Sequence, residues 1–554
     1  MPAGLPAWLG LLAAAVVLVG LAGRDLWTPD EPREAAIMLG MSRSGNWLIP
    51  DLAGEPFVEK PPLYYIVGAA ALRLAGPRAD PTITLRYAAA LWALGALAMT
   101  ALLARRVLGP GHGAWAAALL ATLPGFVQVS HWLLTDNALL FFITASFWCL
   151  AEAYLGNRLA FLPAAALCAG GAFWSKGLIG PLLIAPGALA LGWGWARREG
   201  VRGLAAGRSA GLHAAALGVF LGAILGWIIP LRLVGGPALW HAWFWDNHVG
   251  RLLGSEPLLG HIQPFWYYLA VLPVYLLPWL AVILAGLSRM AVAACRKALS
   301  AEGWFLAAWA LGGLALLSGM STKRDIYLSA ILPAFAVIGA GVCAAPPGRW
   351  LRVALRVWAG CLAVVWLAAG LAPWLRETVR NAYGPWAWRE GALAVLGAAG
   401  VAQLAWRKRP LAVRILALTV LLYLGGLALL FSAVNRVKNY GPAFRGMAAQ
   451  LAADPGARVA GWQLDETTRG GFYVYCDLVF PPVSDINELK RILAGRHGRW
   501  NGVLALDRRF PPESVALPPW RVRGEVVMGA NEVQRLQAIK QERRLQWIEG
   551  AAPP

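Results

Sequence analysis

The sequence predicts a polytopic α-helical membrane protein of about thirteen transmembrane helices with a small C-terminal α/β domain. Three observations carry this expectation. Hydrophobic residues make up 58% of the 554 positions and charged residues only 14%, a balance that a soluble core does not need. Apolar runs of near bilayer length recur from the N-terminus to about residue 433. Beyond Phe431 the pattern changes to short mixed segments with polar breaks.

The first run, Leu9 to Ala22, lacks a small-residue cleavage site and reads as a retained helix. Further spans are expected at about 84–104, 113–130, 137–155, 160–173, 178–195, 211–233, 265–287, 303–320, 326–344, 351–374, 390–405 and 411–433. The run Pro62–Ala75 is short and opens on two prolines, so it is expected to lie at the interface. Arginine and lysine placement supports that choice. With a cytoplasmic N-terminus, the inside loops hold Arg105-Arg106, Arg158, Arg197-Arg198, Arg296-Lys297, Arg349 and Arg407-Lys408-Arg409, as the positive-inside rule requires. The net charge of +20 then follows from topology and attraction to anionic lipid, and no nucleic-acid motif accompanies it. The six cysteines form no CxxC site or disulfide framework.

Two domains are expected: residues 1–433 in the membrane and 434–554 outside it. In the second, Gly471–Tyr475 and Gly502–Leu506 read as strands, residues near 443–453 and 486–495 as helices, and the charged tail from about Gln534 as a fraying helix.

On this topology the unusual polar clusters share one face of the membrane. They are Asp30-Glu31 and Glu59-Lys60, then Thr135-Asp136-Asn137, Ser175-Lys176, Asn247-His248 with Arg251 and His261, and Lys323-Arg324 with Tyr327. Asp30 suits a general base or an acceptor-orienting carboxylate, and equally a helix cap; Asp136 carries the same two readings. Lysine is more telling: three of only eight in the chain, Lys60, Lys176 and Lys323, sit in outer loops against the positive-inside trend. With Arg324 they suit a phosphate, which arginine grips bidentately and lysine meets as a point charge; snorkelling to lipid headgroups is the alternative. Glu59 and His261 are the candidate ligands for a divalent metal, although no HExxH or DxD spacing is present and a structural histidine is the competing reading.

Several of these stretches together form a recognisable pattern: Asp30-Glu31-Pro32-Arg33, Gly45-Asn46-Trp47-Leu48-Ile49-Pro50, Glu59-Lys60-Pro61-Pro62-Leu63-Tyr64, Leu134-Thr135-Asp136, Ser175-Lys176-Gly177, Asn247-His248-Val249-Gly250-Arg251 and Lys323-Arg324-Asp325-Ile326-Tyr327. The pattern resembles the GT-C membrane glycosyltransferases, specifically the family of bacterial lipid A aminoarabinose transferases and protein O-mannosyltransferases. Arg324-Asp325 departs from the Arg-Glu of many relatives and leaves Tyr327 in register.

The resemblance implies a sugar donor on a polyprenyl phosphate, such as undecaprenyl phosphate-aminoarabinose, and a lipid or protein acceptor. It also implies an inner-membrane location with the site facing the periplasm. It assigns catalysis to Asp30, with Asp136 and Glu31 beside it. Donor binding falls to Glu59, Lys60, Lys176, Arg251, Lys323, Arg324 and Tyr327, with Lys60, Arg251, Lys323 and Tyr327 facing the phosphate. No cofactor is required beyond the optional divalent metal. Inverting single displacement is expected, since no covalent nucleophile stands out. A lipid-linked sugar transporter is the rival from another class; it should carry mid-membrane charges and internal repeats.

Overall fold

The protein is described from a computed structural model, which covers residues 5–205, 207–250, 262–343, 348–375, 397, 400, 410–512, 514–528 and 543–551. Among these residues seven helices are long and apolar enough to cross a membrane, or nine if each of two sharply bent pairs counts as one span. The chain is a membrane protein.

The first helix, α1 (Ala7–Ala15), continues as a single 3-10 turn to Leu18 and is shorter than its expected span. Helix α2 (Asp30–Ser44) and helix α3 (Leu63–Ala75) follow as short elements, with a two-residue hairpin, β1 (Asp51–Leu52) and β2 (Glu55–Pro56), between them. Helix α4 (Pro81–Leu108) has a legible start and stop. The Asp80 side chain accepts from the Thr82 and Ile83 amides, Pro81 opens the first turn, and Arg105 and Arg106 face the negative end of the helix dipole.

A bent pair comes next, α5 (Gly113–Ala121) and α6 (Pro124–Ser130), turned by 72°. Then come α7 (Asp136–Tyr154), α8 (Leu162–Lys176), α9 (Ile179–Ala205) and α10 (Gly207–His241). Helix α10 is broken close to its expected end at about residue 233, where Gly236 takes φ +72° and Pro237 opens a second helical segment, which winds on in π form from Ala242 to Gly250. A second bent pair, α11 (Tyr267–Tyr275) and α12 (Leu280–Cys295), turns by 116°. The last helices of this part are α13 (Ala301–Gly319), α14 (Leu332–Cys343) behind the 3-10 turns Asp325–Ile331, α15 (Arg349–Leu375) and α16 (Leu411–Lys438). Every expected span thus falls on a helix or a bent pair, except the one at about 390–405, of which only residues 397 and 400 are described.

Large buried rings tie these helices together. Phe147 and Trp309 lie 4.4 Å apart, and two of the buried indoles find acceptors inside the low-dielectric interior. The Trp279 indole donates to Thr122 Oγ1 at 2.8 Å and that of Trp309 to the Ala330 carbonyl at 3.1 Å.

The C-terminal residues build a four-stranded mixed sheet of order β3-β4-β6-β5 from β3 (Val459–Trp462), β4 (Gly502–Leu506), β5 (Trp520–Met528) and β6 (Arg543–Gly550). Strand β3 runs parallel to β4 and the other pairs are antiparallel. Alternation along β4 sends Leu504 and Leu506 into a core with Phe444 and Phe472, and Val503 and Ala505 into another with Leu489 and Ile492. The covering helices are α17 (Gly441–Ala452), α18 (Glu466–Cys476) and α19 (Ile486–Leu493).

Two expectations fail here. Gly471–Tyr475 is helical, inside α18, because Asp465 caps the Thr468 amide and the helix packs on two sides, Phe472 into the sheet core and Tyr473 against the cluster around α2. Residues 543–550 of the tail form a strand hydrogen-bonded to both β4 and β5; the register of that sheet overrides the tail's polar composition. The tail before residue 543 lies outside the described residues.

Candidate active site

Helix α2 lays down the site. Its first turn holds Asp30 and Glu31, whose charge suits the positive end of a helix, and Gly45 in left-handed conformation closes the other end. A helix turns by about 100° per residue, so Asp30, Arg33 and Glu34 share one face and Glu31 points elsewhere. The Asp30 face borders a cavity of about 610 Å³, to which α8, the π-helical turns and the loop before α14 also contribute.

Asp30 is almost wholly buried. Arg324 grips it with both terminal nitrogens, at 3.1 Å to Oδ1 and 2.6 Å to Oδ2, and Arg33 donates to Oδ1 at 3.1 Å. Burial raises the affinity of Asp30 for a proton. The hydrogen bonds from Arg324 and the charges of Arg33 and Lys60 outweigh this and bring its pKa down from the ordinary 3.8 to about 2. The carboxylate is therefore ionised at neutral pH and, while so held, a weak base.

Around it the remaining charges form pairs. Lys60 donates to Glu34 at 3.0 Å. Arg33 reaches Glu34 and, from helix α18, Glu466, each at 2.7 Å, with Glu59 at 3.9 Å. On the opposite wall Lys176 donates to Asp136 at 2.6 Å and lies 4.2 Å over the Tyr327 ring. Asp136 is the first residue of α7, and Lys176 the last of α8. Gly177 follows at φ +72°, and a Cβ there would stand 2.1 Å from His248 Nε2; glycine is needed for both reasons. Helix α18 closes the cavity from the C-terminal side. Thr467 donates to the Pro29 carbonyl at 2.7 Å, and a Cβ on Gly470 would lie 2.6 Å from the Pro32 carbonyl oxygen.

Of the residues singled out by sequence, Asp30, Glu59, Lys60, Asp136, Lys176, Arg324 and Tyr327 line this one cavity. Two do not. Glu31 turns inward, fully buried, and accepts from Arg24 at 2.7 and 3.0 Å, the Trp27 amide at 2.6 Å and the Leu133 amide at 3.2 Å. Arg86 lies 3.7 Å away. Against the cost of burial, Arg24 and Arg86 hold its carboxyl below the usual range. It ties the chain before α2 to the chain just before α7 and stands outside the cavity, where the expected catalytic role has no surface to act on. Lys323 is also buried; its ammonium donates to the carbonyls of Gln263, at 3.0 Å, and Met320, away from the cavity. It clamps its own loop, and its neighbour Arg324 is the one that faces the cavity.

Arg251 and His261 lie outside the described residues. Glu59 sits beside Arg33, and among the described residues no three His, Cys, Asp or Glu side chains converge to hold a metal. The sequence reading missed Arg33 and Glu34 as site residues, although their i+3 and i+4 spacing from Asp30 places them on its face. Glu466 and Arg509 carry no such signal, since they reach the cavity from a separate sheet-bearing segment.

Residues 59–206 match the dolichyl-phosphate-mannose-protein mannosyltransferase family. The undecaprenyl phosphate-α-4-amino-4-deoxy-L-arabinose arabinosyl transferase of Edwardsiella ictaluri is 30% identical over 66% of this chain, and the match spans 65% of that relative's length. A transferase of the same description from Proteus mirabilis is 26% identical over 70% of this chain and 68% of its own. The crystal structure of ArnT from Cupriavidus metallidurans bound to undecaprenyl phosphate superposes with a TM-score of 0.70 over 99% of both chains, at 21% identity. The fold is that of the GT-C membrane glycosyltransferases. Within that class the chain is similar to the aminoarabinose transferases and, over residues 59–206, to the protein mannosyltransferase family.

Proposed function

We propose that the protein is an inner-membrane glycosyltransferase that moves a sugar from a polyprenyl-phosphate donor, such as undecaprenyl phosphate-aminoarabinose, to lipid A or another envelope glycolipid on the periplasmic face. The observation that carries this reading is an ionised, buried Asp30 in a cavity that also holds Arg324, Lys60 and Lys176. An acceptor hydroxyl attacks the anomeric carbon with inversion and gives its proton to Asp30. The bond from that carbon to the phosphate oxygen breaks with its electron pair on the departing polyprenyl phosphate, whose charge the cations stabilise. In this account Asp136 and Tyr327 position Lys176, and Glu34 positions Lys60. Residues 1–433 form the catalytic membrane domain; residues 434–554 form a periplasmic domain whose α18 roofs the cavity.

Purified protein in proteoliposomes, given undecaprenyl phosphate-aminoarabinose and lipid A, is expected to yield sugar-modified lipid A by mass spectrometry. A preparation that binds the donor and modifies no glycolipid contradicts the reading. The match of residues 59–206 to the protein mannosyltransferase family supports a second reading, in which the acceptor is a Ser or Thr hydroxyl; transfer to a peptide in place of lipid A would establish it.

A further inference from the structure

The cations of the cavity are engaged with carboxylates: Arg324 with Asp30, Lys176 with Asp136, Lys60 with Glu34 and Arg33 with several. An arriving phosphate must draw at least one of them away. The pairs differ in how readily they release. The Arg324 side chain is 25% exposed, against 12–13% for Lys60, Lys176 and Arg33, so its nitrogens are the most accessible from the cavity. Its planar fork now spans both oxygens of Asp30 and fits two phosphate oxygens equally well. Withdrawal of Arg324 does not strand a buried charge, because Arg33 remains 3.1 Å from Asp30. Asp136 differs, since Lys176 is the cation bonded to it.

We propose that Arg324 is exchanged between Asp30 and the phosphate of the donor, so that donor binding is what frees Asp30 to receive the acceptor's proton. The inference rests on the glycosyl-transfer reading above and adds an order to it: donor first, acceptor second. With Arg324 on the phosphate, one guanidinium serves the leaving group and releases the base in the same movement. Without donor the carboxylate stays clamped and a water or acceptor hydroxyl meets a poor base, which protects the site from idle chemistry.

The exchange makes Asp30 a competitor of the donor phosphate, and this can be measured without turnover. The probe is undecaprenyl phosphate, titrated into full-length protein in nanodiscs. Asp30→Asn is expected to bind it about three- to tenfold more tightly than the parent, because Arg324 no longer has to leave a carboxylate; Arg324→Gln is expected to bind it about tenfold or more weakly. The decisive variant is the pair: in the Arg324→Gln background, Asp30→Asn should bring no gain. Equal or weaker binding by Asp30→Asn overturns the exchange. An equal gain in both backgrounds also overturns it, by showing a general effect of removing negative charge. Asp30→Ser replaces Asp30→Asn if the latter does not assemble. Sugar transfer by the parent protein is scored separately, so a parent that binds the lipid and transfers nothing defeats the proposed function and leaves the exchange standing.

Discussion

Asp30 and Glu31 are neighbours in sequence, both buried and both paired with arginine, yet they face opposite regions of the molecule. Glu31 meets Arg24 and two backbone amides in an interior closed on every side. Asp30 meets an arginine from a distant loop across a cavity that a ligand can enter. The difference teaches that an ion pair is structural or functional according to whether either partner has somewhere else to go. Glu31 is enclosed by Arg24, Arg86 and two backbone amides, outside the cavity; Arg324 has a cavity in front of it and can move.

Charge removal should therefore act on activity at one carboxylate and on stability at the other. Asp30→Asn is expected to lower turnover by about 100-fold or more while the protein still assembles, as for a lost general base; Asp136→Asn should lose less, because its charge acts through Lys176. Glu31→Gln is expected to destabilise the fold by about 3 kcal/mol, since it leaves Arg24 and Arg86 buried without their carboxylate. A denaturation series on the detergent-solubilised protein reads this directly, and an unchanged midpoint would break the contrast.

The same contrast applies to Lys60 and Lys323. Lys60→Ala opens a cation site on the cavity and should weaken undecaprenyl phosphate binding by about tenfold. Lys323→Ala should leave that affinity within about twofold and lower thermal stability instead, as expected when a buried side chain loses its carbonyl contacts. The smallest effect concerns pH. Asp30 titrates at about 2 in the folded protein, below its ordinary 3.8, so its stabilising contribution is full above about pH 4 and fades as pH falls through 2. The difference in melting temperature between the parent and Asp30→Asn should be constant from pH 7 to about 4 and shrink only below it; a difference that shrinks between pH 7 and 5 would contradict the clamp.

Much of this was legible in the sequence. Apolar runs located the helices, and the motif residues named about half of the cavity wall. What escaped was direction. Asp30 and Glu31 are indistinguishable as text and diverge by one step of a helical turn. Lys323 and Arg324 diverge because the backbone at Arg324 is extended, at φ −126° and ψ 145°, and successive side chains of an extended chain point to opposite sides. Gly471–Tyr475 reads as a strand through its β-prone aromatic residues, but its place against α2 and α17 is set by packing with Phe444 and Pro32, which no local pattern encodes. Glu466 and Arg509 join the site only through the tertiary docking of α18.

The most direct test compares single-turnover transfer per folded molecule, with donor saturating, in Asp30→Asn and Glu31→Gln. The account predicts a rate about 100-fold or more below the parent for Asp30→Asn and within about threefold of the parent for Glu31→Gln. Parent-like transfer by Asp30→Asn, or an equal collapse in folded Glu31→Gln, would show that the chemistry lies on the other face of the helix.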